Sequence, residues 1–343
     1  LQGLAARNLR ADTAPCFLGG GWYRRFVPAV VEQLASRSEF VTAYTPYQAE
    51  ASQGLLQAFF EFQTMVCSLY GMDAANASHY DGATALAEAL LMACSITGRS
   101  RVALSAALHP DSRRVAATFL RESGVEVREV PVPDGTTDPA TVADAVTEET
   151  ACLAFQSPNF FGIVESGAAL AEAAHARGAL VVMAADPVSL GLLRSPGTLG
   201  ADIAVGEGQS LGIDRAYGGP GVGLLAARQA HVKRLPGRII GATVDAEGRR
   251  AFVLTLQTRE QHIRRERASS NICSNQALMA LRATIYLAAL GPDGLRHVAL
   301  RESRLAHGLR DRLCALPGYR QAYDAPFLHE FVVRCPRDPA AIN

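Results

Sequence analysis

From residue 101 onward, short and almost continuously apolar stretches alternate with amphipathic ones, and this alternation constrains the fold more than any other feature. Strand candidates run over 101–106, 126–130, 151–155, 179–184, 203–205 and 222–226, with helical segments such as 113–122 and 168–176 between them. Strands that are apolar along both faces must be covered on both faces, and strands separated by helices pair in parallel. The expected fold class is therefore α/β, a mostly parallel sheet with helices on both sides. Upstream, a helix is expected over 27–35 after a glycine-bearing loop at 17–21. Leu55, Phe59, Phe62, Val66 and Leu69 recur three and four apart, which predicts a helix ended by Gly71. Gly82 opens a second helix to about Thr97, apolar on all sides and hence buried.

The stretch 234–275 is less regular and arginine-rich, and reads as an interface segment. A helix over 276–290 then opens a second region whose strand candidate is 330–333. The expected division is an N-terminal arm and helix (1–45), a large domain (46–275) and the start of a smaller α+β domain (276–343). The chain begins without methionine and stops soon after its last strand candidate, so both ends read as trimmed. The first residues do not form a signal peptide.

Formal net charge is zero, which gives no electrostatic basis for capturing nucleic acid or an anionic membrane. No apolar run approaches the ~20 residues of a membrane span. Seven cysteines are scattered without a C-x-x-C pair, the usage of a cytoplasmic protein with reduced thiols and no metal site. Among 33 basic residues only one, Lys233, is a lysine. Whatever codon bias lies behind it, Lys233 is the only side-chain amine able to form a Schiff base.

Ligands of open parallel sheets sit at the carboxyl ends of the strands. Asp81, Gly82, Ala83 and Thr84 precede a buried helix, where free N–H groups suit a phosphate; the same residues are an ordinary helix cap. Asp186 follows an apolar strand and suits either a protonated pyridine nitrogen or the turn at Pro187. His109 stands beyond another strand end, as a ring-stacking residue or a loop histidine. The glycine clusters at 206–208 and 218–221 do not match the G-x-G-x-x-G fingerprint, which argues against a nicotinamide oxidoreductase. No G-x-S-x-G elbow, P-loop or metal-ligand motif occurs. The alternating charges of 258–267 predict a solvated or interface helix.

Several ordered segments resemble one family. They are 44–54 (YTPYQAEASQG), 76–84 (NASHYDGAT), 158–162 (PNFFG), 200–212 (GADIAVGEGQSLG), and 235–238 (LPGR) through 252–266 (FVLTLQTREQHIRRE) to 270–273 (SNIC). Together they are similar to the P-protein of the glycine cleavage system, along essentially the whole chain. The family's first segment and last C-terminal elements are missing here. Trp22-Tyr23-Arg24-Arg25, after the glycines, depart from the usual pattern.

The resemblance implies a fold-type I pyridoxal-phosphate enzyme, with a large seven-stranded domain and a small C-terminal domain. It implies decarboxylation of glycine and transfer of the aminomethyl group to the lipoyl arm of the H-protein. It also implies the first, α half of a split α2β2 enzyme. Where the active half carries its Schiff-base lysine, this sequence has Gln209-Ser210, so pyridoxal phosphate is expected on the β partner. The resemblance places the phosphate cradle at Asp81 to Thr84, the ring-stacking histidine at His109, a ring-oxygen contact at Asn159 and the pyridine-nitrogen acid at Asp186. That reads as a site with its cradle retained and its anchor lost. Thr45, Tyr47, Gln48, Glu50 and Ser52 are expected to reach the partner's cofactor. Arg259, His262, Arg264 and Arg265 are expected to hold the interface or line the lipoyl channel. The competing reading is a divergent paralog serving as a scaffold or regulatory partner.

Overall fold

The computed structural model describes residues 1–8, 20–41 and 45–342. Cys16, positions 17–19 of the glycine-bearing loop and Tyr44 lie outside the described residues. One seven-stranded sheet runs in the order β1-β7-β6-β5-β4-β2-β3. Its strands are β1 (Ala74–Ala75), β2 (Arg101–Ser105), β3 (Glu126–Val130), β4 (Thr150–Gln156), β5 (Leu180–Ala184), β6 (Ile203–Glu207) and β7 (Gly223–Ala227). Strands β2 to β6 are parallel, whereas β7 runs antiparallel to β6 and β1 antiparallel to β7. This is the α/β sheet of fold-type I enzymes that the sequence predicts.

The period-2 geometry of a strand explains why the inner strands are apolar almost throughout, whereas the edge strand β3 (EVREV) is mostly exposed. Leu153, Phe155, Val181 and Met183 join the core on one face; Cys152, Ala154, Val182, Ile203 and Val205 join the core on the other. The first face is covered by α4 (Gln53–Tyr70), α8 (Gly167–His175) and α10 (Ala277–Cys314), the second by α5 (Gly82–Thr97) and α6 (Pro110–Arg121). Shorter helices are α1 (Gln2–Ala5), α2 (Ala29–Ala35), α3 (Ser38–Val41), α7 (Pro139–Ala145) and α9 (Gln261–Arg264).

Three elements differ from the sequence expectation. The segment read as irregular holds a hairpin, β8 (Ile239–Val244) with β9 (Arg250–Thr255). The helix expected to stop at 290 continues as α10, broken at Gly291, where φ is 60°; Pro292 then fits the first turn of the continuation, where its missing N–H costs nothing. The strand expected at 330–333 is a two-residue β11 (Val333–Arg334) paired with β10 (Arg320–Gln321). Among the described residues no helix is long and apolar enough to cross a membrane.

Two contacts fix the site's floor. Asp81 caps α5: Thr84 N–H donates to Asp81 Oδ1 at 2.8 Å, and Asp81 N–H donates back to Thr84 Oγ1 at 3.1 Å. The start of β7 lies against this cap, where a Cβ on Gly223 would stand 2.3 Å from the Asp81 carbonyl oxygen. Only glycine permits that approach.

Candidate functional site

A cavity of about 350 Å³ lies at the carboxyl ends of β4, β5 and β6, beside the N-terminus of α5. Asp81, Gly82, Ala83, His109, Asp186 and Ser210 all line it, so most of the residues expected at a cofactor meet in one place. Gln209 is buried beside them. Thr84 spends its hydroxyl and N–H on the Asp81 cap. Asn159 stands apart: its amide donates to the Gly135 carbonyl and Glu165 Oε1 at 2.8 Å each, and its oxygen accepts from Phe161 N–H and Ile163 N–H. Buried and fully bonded, Asn159 holds loops together and has no capacity left for a ring oxygen.

Two positions that would receive a cofactor are already taken by the chain's own side chains. Arg25 donates from both terminal nitrogens to the two Asp186 oxygens at 2.8 Å, and from Nε to Glu302 Oε1 at 2.8 Å. Its side chain is only 3% exposed. Although burial opposes ionisation of Asp186, the Arg25 guanidinium and the nearby His329 hold its carboxyl below the usual range. At the other end, Glu207 accepts from Gly82 N–H (2.8 Å), Gln209 N–H (2.8 Å) and Val222 N–H (3.1 Å). The first N–H of α5, the natural phosphate donor, is thereby spent. As arranged, these residues do not fit pyridoxal phosphate: its pyridine nitrogen would meet an arginine-bound carboxylate, and its phosphate would meet Glu207 and Asp81.

The only lysine is no remedy. Lys233 is exposed on a 3₁₀ turn (Gln229–Arg234), and it does not line the cavity.

The remaining expected residues lie on a separate surface. Tyr47 is 58% exposed, yet its hydroxyl accepts from Arg238 Nη2 at 2.6 Å, with the guanidinium 4.8 Å from the ring centre. Gln48 and Glu50 are exposed, while Thr45 and Ser52 are half-buried. Arg259 departs from its expected role. It is buried and donates to the Leu235 and Gly237 carbonyl oxygens, fastening the loop that carries Arg238. His262 and Arg265 remain exposed, and the exposed Arg264 donates to the Thr258 carbonyl at 3.0 Å.

Sequence reasoning missed Glu207, Arg25 and Arg238. Glu207 had a signal: a carboxylate at a strand end, between two glycines, in the segment that should deliver the lysine. For Arg25 the signal was the departure at 22–25.

A family profile described as glycine cleavage system P-protein matches residues 1–341. The probable glycine dehydrogenase (decarboxylating) subunit 1 of Desulforamulus reducens is 51% identical over 343 residues, 100% of this chain and 77% of that protein. The protein of the same name from Thermomicrobium roseum is 54% identical over 339 residues, 98% of this chain and 76% of its own. A crystal structure of glycine decarboxylase (P-protein) of the glycine cleavage system, in inhibitor-bound form, matches with a TM-score of 0.95 at 52% identity. That match covers 99% of this chain and 77% of the other. A sphingosine-1-phosphate lyase of Burkholderia pseudomallei matches at 18% identity with a TM-score of 0.64, over 87% of this chain and 69% of its own, and shares the fold alone. On the profile and these relatives together, the chain belongs to the glycine cleavage system P-protein family.

Proposed function

We propose that this chain is the first, non-Schiff-base subunit of a glycine decarboxylase and works with a homologous second subunit in an α2β2 assembly. The observation that carries the division of labour is the position of the amine. The single lysine is exposed and away from the cavity, so covalent hold on an aldehyde cofactor falls to the partner. Pyridoxal phosphate on that partner supplies the electron sink for losing CO2 from glycine. The aminomethyl group then passes to the lipoyl arm of the H-protein. The zero net charge and absence of a membrane-length apolar helix among the described residues fit a cytoplasmic enzyme whose partners are proteins and glycine.

This chain contributes surface. The loop from Thr45 through Tyr47, Gln48 and Glu50 to Ser52 presents a phenol aimed by Arg238, and His262, Arg264 and Arg265 present an exposed basic segment. Loops of this kind, placed by a rigid scaffold, are where binding and catalytic contacts concentrate. In this reading the phenol reaches the partner's site and the basic segment serves the interface or the lipoyl channel. The interface segment 234–275 and the beginning of a small domain at 276 belong to the same proposal.

Glycine–CO2 exchange in the reconstituted complex tests it. Tyr47→Phe and Arg264→Ala should each lower exchange by about ten-fold or more, in the range of a lost positioned proton donor or charge, while assembly stays intact. Normal exchange in both intact complexes would leave this chain as packing alone.

A further inference from the structure

The side chains that should surround a cofactor ring are instead joined to one short peptide. His109 Nε2 and the Gly20 carbonyl oxygen are 2.7 Å apart. Tyr23 N–H donates to Gln209 Oε1, and Gln209 Nε2 donates to the Tyr23 carbonyl, each at 3.1 Å. Arg25 forks onto Asp186. Outer contacts tie down the same stretch: Trp22 Nε1 donates to the Arg215 carbonyl at 3.0 Å, and Tyr23 Oη donates to Glu330 Oε2 at 2.6 Å. Residues 20–23 thus wall the cavity, while Arg25, from behind that wall, engages Asp186 and Glu207 engages the first N–H of α5.

We infer that this pocket is the anchor of the chain's own N-terminal arm, closed to pyridoxal phosphate by Arg25 and Glu207 and not only by the missing lysine. This goes beyond the proposed division of labour, because a chain lacking only its lysine could still hold the cofactor without a covalent bond. The buried fork between Arg25 and Asp186 is two charge-assisted bonds in a matched planar geometry. A pyridinium would replace two N–H···O bonds with one and leave the buried guanidinium with Glu302 alone. A phosphate would gain at most the leftover helix-terminal donors while facing two acidic side chains.

The test compares the full-length chain with two variants by equilibrium dialysis against pyridoxal phosphate, followed by borohydride trapping and peptide mass spectrometry. The unaltered chain and Ser210→Lys should both show no bound cofactor and no modification at position 210. Combining Ser210→Lys with Arg25→Gln and Glu207→Asn should give uptake and trapping at that position. Stoichiometric uptake by either of the first two would overturn the closure. Failure of the folded triple variant to take up cofactor would remove Arg25 and Glu207 as the closing groups. Should the triple variant not fold, amide hydrogen exchange decides the matter. Gln209→Ala should speed exchange over residues 20–25 by about ten-fold, the cost of two lost hydrogen bonds. Unchanged exchange there would overturn the anchor.

Discussion

Glu207 accepts three backbone N–H bonds, and burial nevertheless pushes its carboxyl up from 4.5 to about 7. Between those values the folded chain holds a proton that the unfolded chain has released. Stability therefore falls as pH rises through that window and levels off above it, a change of up to roughly 3 kcal/mol. Glu207→Gln should flatten this slope, as read from urea midpoints taken at about pH 5 and about pH 8; an unchanged slope would assign it to another group. Residues such as Asp186, His109, Gln209 and Ser210 are legible in the sequence because each is polar and lies within a few residues of the carboxyl end of an apolar strand. What occupies them is not legible. Glu207 meets Gly82 across 125 positions of chain, and Arg25 meets Asp186 across 161, separations over which local pattern carries no information. Asn159 shows the converse: a polar residue in a telling motif whose bonding capacity is consumed by its own loop.

At the scale of elements, helix α4 does more than cover the sheet. Gln63 exchanges two hydrogen bonds with the Ile240 main chain at 2.9 Å each, and Gln53 does the same with Phe252 at 2.8 Å each. Each glutamine imitates a neighbouring strand and satisfies the hairpin of β8 and β9. Gln63→Leu preserves the apolar stem but orphans a buried N–H and C=O, so it should cost about 2–3 kcal/mol; a denaturant midpoint at the wild-type value would refute that role. The inner parallel strands, β2 and β4 to β6, could be read in advance because burial on both faces makes them largely apolar. The hairpin could not. Its outer half is exposed and polar, and its register rests on two glutamines 177 and 199 residues distant. Likewise the two-residue β1 is too short to leave a pattern.

For the whole molecule, the arginine-rich, single-lysine composition and the occupied ends of the cavity support the proposed arrangement, with chemistry on the partner and surface and positioning here. Lys233→Arg should leave glycine–CO2 exchange and the complex's visible absorption within about two-fold of wild type, as for other exposed substitutions. Loss of both would return the anchoring role to this chain. The fold was open to reading from strand and helix alternation, and the family from its ordered motifs, but the fate of the pocket needed three dimensions. That fate carries an evolutionary consequence. Replacing Arg25 alone would leave Asp186 and Glu302 without their guanidinium partner at a cost of several kcal/mol, and a new amine at 210 alone would find both recognition points of its aldehyde already occupied. On the proposed division of labour, a return to independent catalysis would need several coupled changes at once, and reliance on a second gene product would be held in place by a ratchet built from the chain's own buried ion pair.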